Sequence, residues 1–251
     1  LKSEPSSLTS TYPPTIRLFD ENPSISDFDA QVIDCVEMES VDEQGISRTS
    51  WILILNRSAF YPESGGQLGD RGTIGPATIY DVRIENGVIL HYADRPINSG
   101  RVSGSVDEER RLQISQHHSS VHVVGGSARQ ILGPHVWQAG SFKNESLARL
   151  DVTHYGRLSR TQLDQIEDHA NEIVTQNRNI EITVIPRAEA DSTHGFSIYQ
   201  GGPPKHDMIR LVNIEGHDLQ ACGGTHVSKT SEIGEIRIVR SSQVQDGVER
   251  L

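Results

Sequence analysis

Two short segments, far apart in the chain, share the same spacing of side chains that bind metals. "QHHSSVHVV" contains His118 and His122, and "ACGGTHV" contains Cys222 and His226. On a helix, positions i and i+4 lie on one face, so the two imidazoles can point to the same ion. The Gly-Gly pair of the second segment instead predicts a tight loop, because consecutive glycines are unfavourable within a helix. Any fold that joins the two pairs in one site must bring a helix and a distant loop together.

Each pair also has an ordinary interpretation. Two imidazoles one turn apart often form a polar helix face, and a free cysteine is commonly a small buried hydrophobic residue. Together, however, three histidines and one cysteine form a borderline-soft donor set that suits tetrahedral Zn²⁺. A metalloprotease motif is excluded, because it requires a glutamate directly after the first histidine, where this chain has Ser119.

The composition limits the compartment and the partners. With 251 residues, the chain is long enough for two modest domains. Its 2 cysteines are too few for a disulfide framework, which predicts a reducing, cytoplasmic setting. A net charge of −11 argues against indiscriminate binding of nucleic acid, so an RNA partner would need a local basic patch. No apolar run approaches the roughly 20 residues that span a bilayer, and no motif indicates a membrane or protein partner.

Residues 1–27, rich in Ser, Pro and Thr, are predicted to be poorly structured. Residues 28–106 favour β-structure, with short β-branched runs separated by glycine-rich turns. The clearest pattern is "ATIYDVRIENGVILHYA", in which Asn86-Gly87 joins two alternating runs and predicts a two-residue hairpin. We therefore predict a small glycine-rich β-barrel domain over residues 28–106.

Residues 107–251 favour an α+β domain, in which helices alternate with strands. Asp107 is expected to cap a helix that ends at Gly125-Gly126, and Ser159 to cap a second helix. Three further segments read as strands: Ile180–Pro186, Met208–Ile214 and Gly234–Ser241.

The stretch "FYPESGGQLGDRGTI" places four glycines between predicted strands. It lacks the Lys-Ser/Thr of a phosphate-binding P-loop, and no helix follows it as in a dinucleotide fingerprint. One interpretation is a pair of tight turns within the barrel. The other is a binding wall in which Gly65 and Gly66 allow a ligand to approach the main chain while Gln67 offers an amide.

With these motifs in hand, the chain resembles the AlaX family of alanyl-tRNA editing proteins, relatives of the editing domain of alanyl-tRNA synthetase. The resemblance is carried by "YPESGGQLGDRG", by the His-x-x-x-His helix, by "AGSFKNESLARLDVTHYGRLS" and by "CGGTH", in the order of the family. It covers about residues 32–251. It implies a glycine-rich β-barrel followed by an α+β editing domain of the alanyl/threonyl-tRNA synthetase type.

The resemblance also implies a site and a reaction. The metal ligands of the family correspond to His118, His122, Cys222 and His226 in this chain. The cofactor that the resemblance implies is Zn²⁺. The implied activity is trans-editing, the hydrolysis of the ester in mischarged tRNA for alanine that carries serine or glycine. We take Gln67, Gly65, Gly66 and Thr225 as candidate catalytic residues. The zinc would either activate water and polarise the ester or hold the substrate in place, and four protein ligands are more typical of a structural zinc than of a catalytic one.

Contacts to the substrate are predicted at five residues. Ser58 offers a hydroxyl for the amino-acid side chain, and four basic residues are candidate phosphate contacts: Arg110, Arg111, Lys143 and Arg149. Each of the basic residues can equally be an exposed, solubilising charge. If all four contact phosphates, the affinity for tRNA should fall steeply with salt.

Two other functions remain open from the sequence. The chain could be a non-catalytic module that binds zinc or tRNA, or a zinc hydrolase of small esters. The acidic net charge favours the small-substrate enzyme slightly, whereas the complete ligand set argues against a degenerate module.

Overall fold

The computed structural model describes residues 9–41, 47–200 and 207–251. The chain divides into two compact units, the first formed by Leu1–Ser64 with Leu68–Arg111 and the second by Gly65–Gln67 with Leu112–Leu251. The units thus divide within a helix, after Arg111, whereas the sequence places the domain boundary at 106/107.

The predicted poorly structured segment 1–27 falls partly outside the described residues. Its described part contains a 3-10 turn at Thr9–Thr11, strand β1 (Ile16–Arg17) and helix α1 (Leu18–Glu21). Phe19 of α1 is buried and packs edge-on against Tyr61 at 5.5 Å between ring centroids. The described part of this segment therefore contributes a buried aromatic residue to the first unit, which its Ser/Pro/Thr-rich composition does not predict.

The first unit is built from strands that pair in a closed cycle. Six strands form a closed barrel in the order β2-β3-β7-β6-β5-β8, and β4 (Arg57–Ser58) pairs with β1. The barrel strands are β2 (Asp27–Val41), β3 (Ser47–Leu55), β5 (Gly72–Ile74), β6 (Ala77–Glu85), β7 (Val88–Ala93) and β8 (Gly100–Val106).

The predicted hairpin is confirmed. Glu85 and Val88 are paired across the turn, and Asn86 and Gly87 both have positive φ, 49° and 80°. These angles match a type I′ turn, whose twist suits the flanking strands.

Within the described residues, the second unit combines two sheets with three helices. One sheet has the order β14-β15-β10-β9 and the other β11-β12-β13. The mixture of helices and sheets predicted for this region is confirmed, and Ile180–Pro186 and Met208–Ile214 are strands as predicted. The elements are α2 (Glu108–Leu132), β9 (Gln138–Lys143), β10 (Ala148–Thr153), α3 (Arg160–Thr175), β11 (Ile180–Pro186), α4 (Arg187–His194), β12 (Met208–Ile214), β13 (Asp218–Ala221), β14 (Ser242–Gln245) and β15 (Val248–Arg250).

Helix α2 starts as predicted but does not end where the sequence places its end. The Asp107 carboxylate accepts a hydrogen bond from the backbone N–H of Arg110 at 3.1 Å, which is the expected cap. The helix then continues through Gly125 and Gly126 to Leu132. A Cβ at Gly126 would lie 2.6 Å from the imidazole of His217, so this glycine permits close packing and does not terminate the helix.

The predicted strand Gly234–Ser241 is wrong. The segment lies along α3, where side chains and not a neighbouring strand satisfy its backbone. The N–H of Ile236 donates to Asn171 Oδ1 at 2.9 Å, and the N–H of Ile238 donates to Glu167 Oε2 at 2.6 Å. The alternating pattern of this segment therefore reflects one face packed on a helix.

The Ser159 cap of α3 is confirmed as a reciprocal capping box with Gln162.

Candidate metal centre

The two ligand pairs converge. His118 and His122 lie one turn apart on α2, while Cys222 and His226 lie in the loop that follows β13. Cys222 Sγ is 3.3 Å from Nε2 of His118 and 3.4 Å from Nε2 of His226. One potential ligand atom from each of the four residues lies within 4.8 Å of all the others. We call these four residues the His/Cys cluster.

The three imidazoles are oriented by partners outside the cluster. His118 Nδ1 lies 2.7 Å from Gln67 Oε1, and because an amide oxygen only accepts, Nδ1 carries the proton. His122 Nδ1 likewise faces the carboxylate of Asp218 at 3.2 Å. His226 Nδ1 contacts the hydroxyl of Ser119 at 3.1 Å. Each ring thus turns Nε2 towards the cluster, as is usual for histidines that bind a metal.

Burial and mutual contacts set the protonation states of the cluster. Burial lowers the pKa of His118 to about 4 and that of His226 well below 6.5. Burial opposes ionisation of Cys222, but the imidazoles of His118 and His226 lower its pKa well below 9.0. For His122, burial is outweighed by the hydrogen bonds with Asp218 and Cys222, which raise its pKa to about 9. The cluster therefore supplies a thiolate and two neutral imidazoles, the forms that bind a metal, whereas His122 carries a proton that a metal ion would have to displace.

The close approach of the loop to His118 and Gln67 explains why residue 224 is a glycine. A Cβ at this position would lie 2.0 Å from His118 Cε1 and 2.7 Å from Gln67 Oε1. A Cβ at Gly223 would meet nothing within 4 Å. The main chain at Gly224 thus passes directly against a ligand and its orienting amide.

A hydrogen-bonded network links the glycine-rich stretch to both ligand segments. Besides accepting from His118, Gln67 Oε1 accepts from the backbone N–H of Thr225 at 3.1 Å, and Gln67 Nε2 donates to Thr225 Oγ1 at 2.8 Å. Ser115 Oγ donates to the same hydroxyl at 2.7 Å. Gln67 is 1 % exposed, and the oxygen and nitrogen of its amide are both hydrogen-bonded, so the amide holds His118 and the loop at Thr225 in place.

The donor set fits zinc, and two of its distances match a tetrahedral ion. With Zn–N of about 2.0–2.1 Å and Zn–S of about 2.3 Å, ligands of a tetrahedral ion lie roughly 3.3–3.6 Å apart. The two sulfur–nitrogen distances above fall in or near that range. A thiolate with three imidazoles is also a ligand type that zinc accepts. The His/Cys cluster could therefore hold a metal ion and is compatible with zinc.

Gly65 and Gly66 lie against β9. The carbonyl of Gly66 accepts from the backbone N–H of Lys143 at 2.7 Å, and a Cβ at Gly66 would lie 2.0 Å from the carbonyl oxygen of Ser141. Gly66 thus admits a neighbouring strand, whereas the predicted role was to admit a ligand. A Cβ at Gly65 would meet nothing within 4 Å.

Three predicted substrate contacts are engaged within the chain. Ser58 is fully buried in the first unit, with its hydroxyl 2.7 Å from His91 Nε2. Arg110 donates to the carbonyl of Gly69 at 2.6 Å, and Arg111 donates to the carbonyl of Ala59 and to the carboxylate of Asp70. Both guanidinium groups belong to residues that are 7 % exposed. Their burial argues for a structural role in place of the predicted contacts.

The other two basic candidates differ from each other. Lys143 is buried, and its ammonium donates to the carbonyl of Gly65 at 2.9 Å and to Ser141 Oγ at 2.8 Å. Burial lowers its pKa to about 8. The side chain of Arg149 is 38 % exposed beside Asp151, so it keeps the access to solvent that a phosphate contact needs.

Asp218 and Ser115 were missed by sequence reasoning. Asp218 contacts His122 and lies 3.7 Å from the guanidinium of Arg129, and it is 6 % exposed. Its only signal in the sequence is an aspartate at the start of a strand that leads to Cys222. Ser115 precedes His118 by nearly one helical turn. Many serines without a functional role have such a spacing, so it gives no signal.

Comparison with known proteins supports the relationship suggested by the motifs. Residues 209–251 match the family described as threonyl and alanyl tRNA synthetase second additional domain, and residues 7–110 match tRNA synthetases class II (A). The alanine–tRNA ligase of Ignicoccus hospitalis is 43 % identical over 245 residues, which is 96 % of this chain. The chain is a relative of the alanine–tRNA ligases.

Other alanine–tRNA ligases match to the same extent. The identity is 44 % for that of Natronomonas pharaonis over 95 % of this chain, and 41 % for that of Pyrococcus furiosus over 97 %. In all three comparisons this relative of the ligases spans about a quarter, 26 %, of the matched protein's length. Within the described residues, no helix is both long enough and apolar enough to cross a bilayer.

Proposed function

We propose that this chain is an aminoacyl-tRNA deacylase that hydrolyses mischarged tRNA for alanine, with serine or glycine as the amino acid removed. The observation that carries the proposal is the His/Cys cluster, whose three imidazoles are held with Nε2 facing one thiolate. The relationship to alanine–tRNA ligases supports the choice of substrate. We place the activity in the cytoplasm, with tRNA as the partner and Zn²⁺ as the cofactor.

The reaction is the addition of water to the ester carbonyl and cleavage of the bond to the ribose oxygen. It releases the free amino acid and restores the hydroxyl of the tRNA. Zn²⁺ held by His118, His122, Cys222 and His226 would supply Lewis acidity for the carbonyl or a fixed point for the substrate amine.

The residues of this chain supply orientation. Gln67 and Thr225, proposed from the sequence as catalytic, hydrogen-bond to each other, and Gln67 Oε1 also accepts from His118 Nδ1. We therefore assign them as positioning residues that hold the imidazole in its productive tautomer. Cys222 alone of the four ligands is only half-buried, so a substrate would approach the cluster from its side.

Selectivity against alanine follows from the asymmetry of polar recognition. A synthetase pocket for alanine rejects serine or glycine weakly, because one added hydroxyl or one missing methyl changes the binding by only about 1–3 kcal/mol. A site that hydrogen-bonds the serine hydroxyl loses that bond with alanine, and such sites discriminate by up to roughly 10⁴–10⁵. Correctly charged tRNA would then be spared.

The decisive experiment measures loss of labelled serine from serylated tRNA for alanine when the purified chain is added in solution. The wild type should deacylate, and Cys222→Ala should lose the activity together with its bound zinc. Cys35→Ala is the matched control, because this second free cysteine lies in the first unit and should leave both unchanged. Deacylation by Cys222→Ala at the wild-type rate would refute the proposal.

Competition by uncharged tRNA distinguishes a tRNA deacylase from a hydrolase of small esters. If the natural substrate is a small ester, an excess of uncharged tRNA should leave the rate unaffected, whereas a tRNA deacylase should be inhibited. The non-catalytic alternative predicts that zinc-loaded wild type and Cys222→Ala release serine at the rate of buffer alone.

A further inference from the structure

Three aromatic rings, those of His135, His154 and Tyr155, contact one another at one surface of the second unit. Trp137 follows His135 by two residues in the chain. His135 and Tyr155 are exposed, Trp137 is 37 % exposed, and His154 is buried. We call these four residues the aromatic surface. None of them belongs to the His/Cys cluster or to the network around Gln67.

The rings are held in place from below. His135 and His154 are stacked with centroids 5.1 Å apart and an interplanar angle of 27°, and His135 Nε2 lies 2.9 Å from His154 Nδ1. The backbone N–H of His154 donates to the carbonyl of Gly247 at 2.9 Å. Tyr155 lies over His154 at 4.4 Å and 32°. The inner face of Tyr155 is therefore covered by an imidazole.

The outer side of Tyr155 is open. This residue is 83 % exposed, which is unusual for a large aromatic side chain whose ring also contacts another ring, here at a tilt of 32°. A flat aromatic face held rigidly from behind and open to solvent is the feature on which proteins stack unpaired nucleobases.

The aromatic surface is connected to the metal centre by three successive contacts. The guanidinium carbon of Arg129 lies 5.4 Å from the centre of the Trp137 ring. Arg129 also lies 3.7 Å from Asp218, whose other oxygen contacts His122 at 3.2 Å. Trp137 is thus separated from His122 by two residues, Arg129 and Asp218, so a base stacked on its ring would lie near the His/Cys cluster.

The net charge of the chain favours stacking over attraction of phosphates. At −11, the molecule as a whole repels a polyanion. Stacking of bases on aromatic rings needs no net positive charge, and a guanidinium beside an indole adds a planar cation to the same surface.

We propose that the aromatic surface binds the unpaired nucleotides of an RNA 3′ end by base stacking, with Tyr155 as the principal ring. The inference rests on the proposed function for its choice of RNA, and it names the part of the tRNA that this surface recognises. Duplex RNA, whose bases are already stacked on each other, is not a ligand for this surface.

The experiment titrates a single-stranded tetraribonucleotide, with the sequence of a tRNA 3′ end, into the zinc-loaded chain. The chain has 2 tryptophans, so a Trp51→Phe background makes Trp137 the only indole whose fluorescence reports stacking. We expect quenching by the single strand and none by a blunt duplex. Tyr155→Ala should weaken binding roughly 5- to 150-fold, the range found when a stacking ring is removed. Phe196→Ala is the matched control, since Phe196 is 69 % exposed and lies outside the aromatic surface.

The same variants are then assayed for deacylation of serylated tRNA. Tyr155→Ala should raise KM by the same factor and leave kcat unchanged. Unaltered oligonucleotide affinity in Tyr155→Ala, no measurable binding by the wild type, or equal quenching by duplex would each overturn the inference. If the wild type deacylates and Tyr155→Ala keeps the wild-type KM, the aromatic surface fails while the proposed function stands. If the single strand binds through Tyr155 but no tRNA is deacylated, the proposed function fails and the surface stands.

Discussion

At Gly224 the loop of the candidate metal centre approaches the helix too closely to accommodate a side chain. Gly224→Ala would place a methyl group 2.0 Å from a carbon of the His118 ring, so the ring or the loop must move. We expect the variant to lose zinc at stoichiometric loading, measured by elemental analysis after gel filtration. Gly223→Ala has open space around its Cβ and should keep its metal. Equal zinc content in the two variants would contradict the contact.

Replacement of Asp218 tests whether a residue outside the His/Cys cluster orients His122 for metal binding. Asp218→Asn keeps the shape of the side chain but removes the charge that faces His122 Nδ1 at 3.2 Å. Loss of such a partner typically weakens metal binding about 10- to 100-fold. A competition titration against a chromophoric chelator measures this change. Asp164→Asn, an exposed carboxylate on α3 paired with Arg160, is the control and should bind zinc as tightly as the wild type.

His91 shows how a buried imidazole links stability to pH. Burial lowers its pKa to about 4 from 6.5, so the unfolded chain binds the extra proton between these values. The stability contributed by neutral His91 is therefore complete above pH 6.5 and is lost as the pH falls towards 4, by about 3 kcal/mol.

Urea unfolding of wild type and His91→Gln across this pH window measures the effect. The difference between the two curves should shrink as the pH falls, whereas His194→Gln, at an exposed site, should follow the wild type. An NMR titration of the wild type provides a check that does not depend on the variant folding. A His91 pKa near 6.5 would contradict this account.

At the scale of elements, the position of the glycine-rich loop, and with it that of Gln67, depends on how closely the loop approaches β9. Gly65 and Gly66 both have left-handed φ, 57° and 75°, so alanine at either costs roughly 1–2 kcal/mol in backbone strain. Only Gly66→Ala also places its Cβ against a strand carbonyl, that of Ser141. We expect Gly66→Ala to displace Gln67 and weaken zinc binding about tenfold or more, and Gly65→Ala to keep the wild-type affinity. Matching affinities would show that Gln67 is positioned by other contacts.

The sequence predicted those elements whose signals are local. The Asn86-Gly87 turn, the Asp107 cap and the Ser159 cap all follow from short patterns with a defined backbone geometry. The end of α2 could not be predicted in this way. Whether Gly126 stops the helix or lets His217 approach depends on a residue far along the chain.

The same distinction applies to the metal centre. The four residues of the His/Cys cluster could be selected as candidate ligands because their spacing and chemistry are visible in the sequence. Asp218 and Ser115 could not, since their roles arise only when β13 and α2 come together. The burial of Arg110 and Arg111 could not be predicted either. Nothing local indicates that the carbonyls of Gly69 and Ala59 and the carboxylate of Asp70 would enclose them.

At the scale of the whole molecule, burial of basic residues changes the expected salt dependence of tRNA binding. Of the four phosphate contacts predicted from sequence, only Arg149 keeps a partly exposed side chain. Each phosphate neutralised on a single strand contributes roughly −0.7 to the slope of log K against log salt. We therefore expect a shallow slope, weaker than about −2, in place of the steep fall that four contacts would produce.

Binding of uncharged tRNA measured between about 50 and 200 mM salt tests this expectation. Arg149→Gln should reduce the slope by roughly 0.7 without abolishing binding, because stacking on neutral rings is independent of salt. Arg160→Gln removes an exposed cation already paired with Asp164 on α3 and should leave the slope unchanged. A slope steeper than about −4 would mean that a basic surface, and not stacking, provides most of the affinity. The aromatic surface would then be secondary even if Tyr155→Ala binds more weakly.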